Sequence, residues 1–305
     1  MFGVLAVDKP PGLSSRHVVN QLERVVRPFK VGHTGTLDPM ATGVLVLALG
    51  QATRLVEFSH FQSKNYRAEF LLGHSSESLD TETPVVPLVA APPITPAQFC
   101  DASRAWIGPV QQTPPKFSAV HVGGKRAYEL ARQGKDFELA SRRVEIHSIE
   151  LVDFEYPRVV VDIDCGTGTY IRSLGSDIAR QLKSDAVMSG LVRTRVGSLE
   201  LKHCVQLDEL DSLFAAVAHL HKPTCLVESL TTHILSDALA QQIRHGIPIP
   251  LETEEEGPIA TVEPSGELVA IVKRDGASYR SLRVFQKMTD THQPSSSSKP
   301  HKPES

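Results

Sequence analysis

The sequence feature that most constrains the fold is VLVLAL, residues 44 to 49, a continuous apolar run of strand length. This run is too short for an ordinary helix and fits a buried strand. Residues 66 to 72 alternate apolar and polar side chains with the period of two that is typical of strands. The segment GVLAVD, residues 3 to 8, also has strand length. We therefore expect all three segments to belong to a sheet.

Helices are predicted where apolar residues recur at helical spacing after a capping residue. A turn at residues 10 to 12 precedes a helix that Ser14 or Ser15 can cap. Its predicted buried face holds Val18, Val19, Leu22, Val25 and Val26, and its exposed side carries Arg16, Arg24 and Arg27. A second helix is expected from Thr95–Pro96 to Trp106. A third begins at Ile171, with Leu174, Ile178 and Leu182 on one face.

The order of the predicted elements indicates the fold class. Residues 144 to 152 and 158 to 165 are rich in Val and Ile and are predicted strands, joined by a turn at 153 to 157. Strands and helices do not alternate regularly, and no repeat of about 20 to 50 residues is visible. We therefore expect an α+β domain built around a mixed sheet.

The length and composition suggest two unequal domains. The chain has 305 residues, of which 41% are hydrophobic. We expect a larger domain at 1–228, a small β-rich module at 229–288 and a disordered Ser/Pro/Lys-rich tail at 289–305. No long apolar run and no signal peptide is visible, so a soluble cytoplasmic protein without membrane association is expected, with a monomer as the default.

Charge and cysteine content exclude some classes of site. The net charge of -3 does not indicate nucleic-acid binding, so any basic face must be local. Such a local excess occurs between residues 116 and 146, although a solvated mixed surface explains it equally well. The four cysteines are scattered, which predicts free thiols and no metal site.

The first candidate site is the glycine-punctuated stretch 30 to 55, KVGHTGTLDPMATGVLVLALGQATRL. Asp38 stands in its centre, and His33, Thr34 and Thr36 add polar groups just before a buried strand. An Asp before Pro is common in turns, but binding residues are also often held on loops by a rigid scaffold. The loop alone does not decide whether Asp38 has a structural or a catalytic role.

The second candidate site is CGTGTYIRSLGSDIA, residues 165 to 179, where a strand gives way to a helix. No Lys-Ser or Lys-Thr pair follows the glycines, and Ile171 stands where a dinucleotide motif needs its third glycine, so both nucleotide motifs are rejected. Arg172 can pair with a carboxylate and keep it ionised. It can equally be a surface arginine at the start of a helix.

Four segments in register carry a resemblance to a known family. Residues 3 to 15, 32 to 43 (GHTGTLDPMATG), 114 to 134 and 165 to 174 closely resemble the TruB-type pseudouridine synthases. The similarity covers about residues 1 to 200. It implies a pseudouridine synthase catalytic domain, and the C-terminal module resembles the family's PUA-like domain in outline only.

The resemblance also implies roles for individual residues. Asp38 would be the catalytic residue, Arg172 its ion-pair partner and Tyr66 the ring that stacks on the target uracil. Tyr170 and Leu191 would wall the pocket, and His33 would fill the space that the flipped base leaves. Further candidate substrate-binding residues are Lys9, Gly35 and Thr36. The implied substrate is uridine 55 in the T arm of tRNA.

The implied reaction fits these residue types. Pseudouridine formation breaks the C1′–N1 bond and rejoins the ring through C5 without redox change, so we expect no cofactor and no metal. An Asp carboxylate can attack C6 or C1′, and the sequence does not choose between them. Tyr66 is one candidate to relay the C5 proton. The candidate phosphate contacts are Lys9, Lys116, Lys125, Arg126, Arg132, Arg142, Arg193 and Arg195.

One loop departs from the family pattern. In residues 72 to 83, many bacterial members carry Thr-Asp-Thr where this chain has Ser76, Glu77 and Ser78. These changes are conservative and are expected to leave the chemistry untouched, but they put fine contacts of the loop in doubt.

Two other classes of function compete with this interpretation. A glycoside or nucleoside hydrolase usually needs two carboxylates, and neither Asp177 nor Glu77 is as plausible as Asp38. A tRNA-binding folding chaperone, with secondary or no catalysis, is the alternative that the sequence leaves open. Asp38 discriminates, because a pure binder would tolerate Asn at this position.

Overall fold

The structure, a computed structural model, describes residues 2–89 and 91–286. The predicted tail at 289–305 lies outside the described residues. The strands, in chain order, are β1 (Phe2–Lys9), β2 (Val31–His33), β3 (Thr42–Gly50), β4 (Lys64–Leu72), β5 (His74–Ser75), β6 (Val86–Pro87), β7 (Gly108–Gln112), β8 (His121–Val122), β9 (Lys125–Arg126), β10 (Arg142–Glu155), β11 (Arg158–Cys165), β12 (Ala186–Val196), β13 (Leu199–Glu200), β14 (Val205–Gln206), β15 (Thr232–Ile234), β16 (Ile259–Val262), β17 (Leu268–Asp275) and β18 (Ser278–Val284).

The helices connect and cover these strands. They are α1 (Ser15–Val25), α2 (Pro96–Arg104), α3 (Ala127–Arg132), α4 (Ile171–Gln181), α5 (Leu213–Ala218) and α6 (Asp237–Arg244). Two 3₁₀ helices, Gln51–Leu55 and Phe58–Phe61, link β3 to β4. The predicted cap of α1 is Ser14, whose hydroxyl accepts from the backbone N–H of His17 at 3.1 Å.

Most strands join one mixed sheet, hereafter the large sheet, in the order β14-β1-β3-β12-β4-β11-β10-β7. Strand β2 pairs with β3, and β13 pairs with β12. The pairs β1–β14 and β3–β12 are parallel, and the other pairs are antiparallel. A second sheet, β15-β16-β17-β18, forms the C-terminal module. The predicted α+β class with a mixed sheet is confirmed.

Strand β3 is apolar throughout because both of its faces are covered. Leu45, Leu47 and Leu49 pack in the core beneath α1. Val44, Val46 and Ala48 pack in a second cluster that includes residues of β16, β17 and the end of the module. The large sheet therefore has a helix-covered face and a face covered by the C-terminal module. The division at residue 228 stays a prediction, since Leu226 and Val227 belong to the cluster that both sheets share.

Several predicted boundaries were wrong by a few residues. The predicted loop at 31–43 begins as strand β2, and α2 ends at Arg104 rather than at Trp106. The predicted turn at 153–157 is shorter, because β10 continues to Glu155. Between residues 2 and 286, leaving out position 90, no helix is both long and apolar enough to cross a membrane. All four cysteines are free, as predicted.

Two glycines permit close approaches that shape the sheet. Gly43 has φ +95°, and a Cβ there would lie 2.3 Å from the carbonyl oxygen of Arg193 on the parallel strand β12. A Cβ on Gly175 would lie 2.2 Å from the ring of Phe70, so α4 can sit directly on β4 only because this residue has no side chain.

We expect Gly43→Ala to lower the free energy of unfolding by roughly 3 kcal/mol or more, because it adds a backbone clash to an unfavourable φ. Gly108 is a matched control, since it has φ +97° and open space around its Cβ position. Gly108→Ala should cost only the backbone term of about 1–2 kcal/mol. Urea unfolding of both variants measures the two losses in the free energy of unfolding. Equal losses would show that the close approach of β3 to β12 adds no cost at Gly43.

Candidate active site

A cavity of about 520 Å³ opens where the loop between β2 and β3, residues 34 to 41 and hereafter the Asp38 loop, faces the start of α4. Pockets of this size are typical of small-ligand sites. Of the predicted site residues, the cavity is lined by Gly35, Thr36, Asp38, Tyr66, Tyr170, Arg172 and Leu191. Residues that are far apart in the sequence thus meet at one place.

Arg172 holds the carboxylate of Asp38 through two bonds. Its Nε lies 3.0 Å from Oδ2 of Asp38, and its Nη2 donates to Oδ1 at 3.2 Å. The Arg172 side chain is 4% exposed and that of Asp38 32%, so the pair joins a buried cation to a carboxylate that still faces the cavity. Such two-point pairing fixes the orientation of the carboxylate as well as its charge. Of the two roles left open for Arg172, the ion pair is the one found.

The remaining donors of Arg172 are also satisfied. Nη1 donates to the carbonyl of Ser78 at 2.8 Å and lies 3.1 Å from the carboxylate of Asp80, and Nη2 donates to the carbonyl of Phe117 at 3.0 Å. The guanidinium is thus used on all sides. It can turn away from Asp38 only by abandoning these other acceptors.

The loop at residues 72 to 83 supplies two of these acceptors. The changes at Ser76, Glu77 and Ser78 were expected to leave the chemistry untouched, and Ser78 contacts Arg172 through its backbone carbonyl, whereas Asp80 contacts it through its carboxylate. Leu79, between them, has a positive φ of 61°, a backbone conformation that few residues other than Gly adopt. This local turn directs the Ser78 carbonyl and the Asp80 carboxylate towards the same guanidinium.

The electrostatic environment of Asp38 favours its neutral form. Burial raises the pKa of the Asp38 carboxyl above its ordinary value, while the Arg172 guanidinium acts in the opposite direction and Asp80 adds to the increase. Asp38 is thus a poorly hydrated carboxyl group whose two oxygens are held in a fixed position at the cavity.

Two buried cations hold the Asp38 loop through hydrogen bonds to its backbone carbonyls. The ammonium of Lys9, which is fully buried, donates to the carbonyls of Pro10 at 2.9 Å, Leu13 at 2.7 Å and Pro39 at 3.1 Å. Arg193, 1% exposed, donates to the carbonyls of Val44, Gly35 and Thr36 at 2.7, 3.1 and 3.4 Å. Both side chains are buried and their donors are used by backbone carbonyls, which counts against the predicted phosphate contacts, although Arg193 also lines the cavity.

Other support for the site comes from a buried serine and a buried glutamine. The hydroxyl of Ser15 accepts from the N–H of Leu37 at 2.8 Å and donates to its carbonyl at 3.1 Å. The amide of Gln112 makes the same double contact with the backbone of Tyr170, at 2.7 and 3.0 Å. Ser15 therefore holds the Asp38 loop, and Gln112 holds the start of α4. Each side chain bonds to both the N–H and the C=O of one residue, as a neighbouring strand would.

Tyr66 and Lys64 lie on the same face of β4, and both line the cavity. Burial raises the pKa of the Tyr66 hydroxyl, with the nearby Arg193 opposing the change. A smaller fraction of this phenol is therefore ionised at neutral pH than in free tyrosine, so little phenolate is available to take a proton, which counts against the predicted proton relay. Burial lowers the pKa of Lys64 to about 8, and its ammonium donates to Thr167 Oγ1 at 3.2 Å.

Two further predicted residues occupy the edges of the site. Tyr170 is half-buried, and the guanidinium of Arg142 lies 4.8 Å from the centre of its ring. His33 is not among the described residues that line the cavity; its Nδ1 is buried without a hydrogen-bond partner. Burial lowers the pKa of His33, and Arg16 and Arg193 add to the effect. A neutral, partly exposed ring therefore stands beside the loop.

With this geometry in place, comparisons with known proteins identify the family. A model described as the TruB family pseudouridylate synthase N-terminal domain matches residues 23–171. A model described as the C-terminal part of tRNA pseudouridine synthase II matches residues 233–286. The tRNA pseudouridine synthase B of Moorella thermoacetica is 38% identical over 90% of this chain and 94% of its own length. The chain belongs to the TruB family of pseudouridylate synthases.

Further comparisons agree with TruB membership. The tRNA pseudouridine synthase B of Deinococcus deserti is 35% identical over 92% of this chain and 99% of its own. Among solved structures, a Cbf5-Nop10-Gar1 complex contains a chain with a TM-score of 0.73 at 24% identity, covering 93% of this chain and 85% of that one. At this identity the structural likeness shows the shared fold alone.

Sequence reasoning missed Lys64, Asp80 and Gln112 in this TruB site. Lys64 carried a usable signal, since it shares the period-two face of β4 with the predicted Tyr66. Asp80 and Gln112 stand in segments without apolar periodicity, and only the folded chain brings them to Arg172 and Tyr170. Within the described ranges, no group of three or more His, Cys, Asp or Glu side chains could hold a metal ion.

We expect Lys9→Met to lower the free energy of unfolding by roughly 2 kcal/mol or more, because it leaves three carbonyl oxygens without their donor. Lys125 is exposed and serves as the control, so Lys125→Met should change stability by no more than about 0.5 kcal/mol. Chemical denaturation tests both. A stable Lys9→Met variant would show that the ammonium does not support the Asp38 loop.

Proposed function

We propose that this chain isomerises uridine to pseudouridine in the T arm of tRNA, at position 55, with Asp38 as the nucleophile. The observation that carries the proposal is the Asp38 carboxylate, held at two points by buried Arg172 and open to the cavity. The relatives named tRNA pseudouridine synthase B support tRNA as the substrate. The T-arm position rests on the resemblance of the four sequence motifs.

In the proposed mechanism, the target uridine is extruded from the RNA loop and enters the cavity. Asp38 attacks C1′ or C6, the C1′–N1 bond breaks, and the ring turns before C1′ bonds to C5. The bond to Asp38 breaks again, either when C5 displaces the carboxylate from C1′ or when the carboxylate is eliminated from C6. C5 then loses its proton and N1 ends with one, so the product is an isomer of the substrate. No external group or electron is needed for this balance.

The aromatic residues of the cavity have a binding role in this proposal. Tyr66 provides a ring for stacking on the extruded uracil, while Leu191 and Tyr170 complete the walls. Stacking on an aromatic ring contributes about 1–3 kcal/mol per base, which offsets the cost of extrusion. His33, beside the loop, would take the space that the base vacates in the RNA.

The proposed phosphate contacts are the basic residues that remain at the surface. Arg132 and Arg142 are exposed and line the cavity. Lys116, Lys125, Arg126 and Arg195 are exposed or half-buried outside it, and Arg195 is paired with Asp164 at 2.9 Å. A few cations on one face suffice for RNA that is recognised by shape and by splayed bases, so the net charge of -3 is compatible with this partner.

The central test incubates the purified protein with an unmodified tRNA transcript, without added cofactor or metal, and maps pseudouridine by mass spectrometry. We expect conversion at position 55 and no detectable conversion by Asp38→Asn, because an amide cannot act as the nucleophile. Asp177→Asn is the matched control: this half-buried aspartate lies on α4 outside the lining of the cavity, and its loss should leave conversion intact.

Other outcomes would redirect the proposal. Modification that persists in a tRNA lacking uridine 55 would rule out the T-arm position. If wild type and Asp38→Asn bind tRNA equally and neither converts it, the folding chaperone becomes the better interpretation.

The pH dependence provides a second test. Since the carboxylate form is the nucleophile and burial raises its pKa, single-turnover conversion should rise with pH around a midpoint above the ordinary Asp value of about 3.8. Arg172→Met should move this midpoint upwards, because it removes the opposing cation. Asp80→Asn should move it downwards, because it removes a like charge. Midpoints that do not separate in this order would contradict the assignment to Asp38.

A further inference from the structure

The 3₁₀ helix Phe58–Phe61 ends in two exposed rings, of which the first lines the active-site cavity. His60 is exposed and lines the cavity together with Asp38 and Tyr66. Phe61 follows it and is 67% exposed, whereas Phe58 at the other end of this helix is buried. A single exposed phenylalanine is ordinary on a protein surface. Its position next to a cavity-lining histidine is what gives Phe61 a candidate role.

The segment that carries these rings is held firmly from both sides. Gln62 is buried and its side-chain amide donates to the carbonyl of Cys225. The Ser59 hydroxyl donates to the carbonyl of Val56 at 2.7 Å. Glu57 forms an ion pair with Arg283 of the C-terminal module at 2.7 Å. The backbone that carries the rings is therefore preorganised, and a ligand that binds them spends little free energy on ordering this segment.

The nature of the cavity indicates what meets these rings. If the target uridine enters the cavity, its neighbours in the RNA loop lose a stacking partner and present a bare base face at the mouth. Unstacked RNA bases bind on Phe, Tyr, Trp and His rings, and this contact tolerates any base because every base has a π face. Tyr66, at 8% exposure, lies too deep to serve a second base.

We propose that Phe61, flanked by His60, forms a stacking platform for the nucleobase next to the target uridine in the substrate RNA. This inference rests on the proposed function and adds a contact for a second nucleotide. Phe61 acts here in binding and positioning, and it does not touch the reacting atoms.

The test measures binding of a T-arm stem-loop RNA in the inactive Asp38→Asn background, so that turnover does not complicate the affinity. Phe61→Ala should weaken binding by about 5-fold or more, the effect of losing one base–aromatic stack. Phe61→Trp should retain the affinity, because it keeps a π face. Phe214 is 85% exposed and outside the cavity lining, so Phe214→Ala should leave the dissociation constant unchanged.

Abasic substitutions then identify the partner. An RNA that lacks the base on one side of the target should bind the Asp38→Asn protein more weakly, and Phe61→Ala should cause no further loss with that RNA. The platform would be overturned if Phe61→Ala and the missing base weakened binding additively for both abasic RNAs. It would also be overturned if Phe61→Ala changed the dissociation constant of the intact RNA by less than about 2-fold. Conversion of the same stem-loop by wild type is measured in parallel. If the wild-type protein converts the stem-loop and Phe61→Ala does not weaken binding, the platform alone is rejected. If the wild-type protein neither converts nor binds the stem-loop, the proposed function is rejected as well.

Discussion

The active site depends on buried positive charge beneath and behind one loop. Lys9, Arg172 and Arg193 are at most 3% exposed, and their donors are directed to carbonyl and carboxylate oxygens on or beside the Asp38 loop. A buried charge is tolerated only when such partners surround it. Because the acceptors come from separate strands and loops, the cations fix their relative positions. Asp38 is held in place because moving it would leave charge unpaired in the interior.

The sequence predicted those parts of the fold and the site that have local signals. Apolar runs and periodicity gave the α1 and α4 helices and the strands β1, β3 and β4, and the resemblance of four motifs to a known family led to the roles of Asp38 and Arg172. Strand β12 was missed, although it lies between β3 and β4, because Arg193 and Arg195 interrupt its apolar pattern. An arginine inside a core strand has no signature in sequence, since its acceptors are backbone carbonyls of distant segments.

The same limit applies to the basic residues. From sequence, every Lys or Arg is expected to be a surface charge. Lys9 and Arg193 were predicted to contact phosphate on that basis. In the folded chain the basic residues divide into buried ones that build the site and exposed ones, such as Arg132 and Arg142, that remain available to a ligand. Net charge does not distinguish these groups, so a chain with an overall charge of -3 can still present cations around its cavity.

The shared cluster between the two sheets links the C-terminal module to the active site. Val44 and Val46 of β3 face that module, while their neighbours Leu45 and Leu47 face the core below the Asp38 loop. Without the module, one side of a central strand would present a continuous apolar surface to water. The boundary visible in the sequence is therefore not an energetic boundary. Residues of β17 pack in the same cluster as Val44 and Val46, so a substitution on β17 that loosens this cluster acts directly on β3, the strand that follows the Asp38 loop.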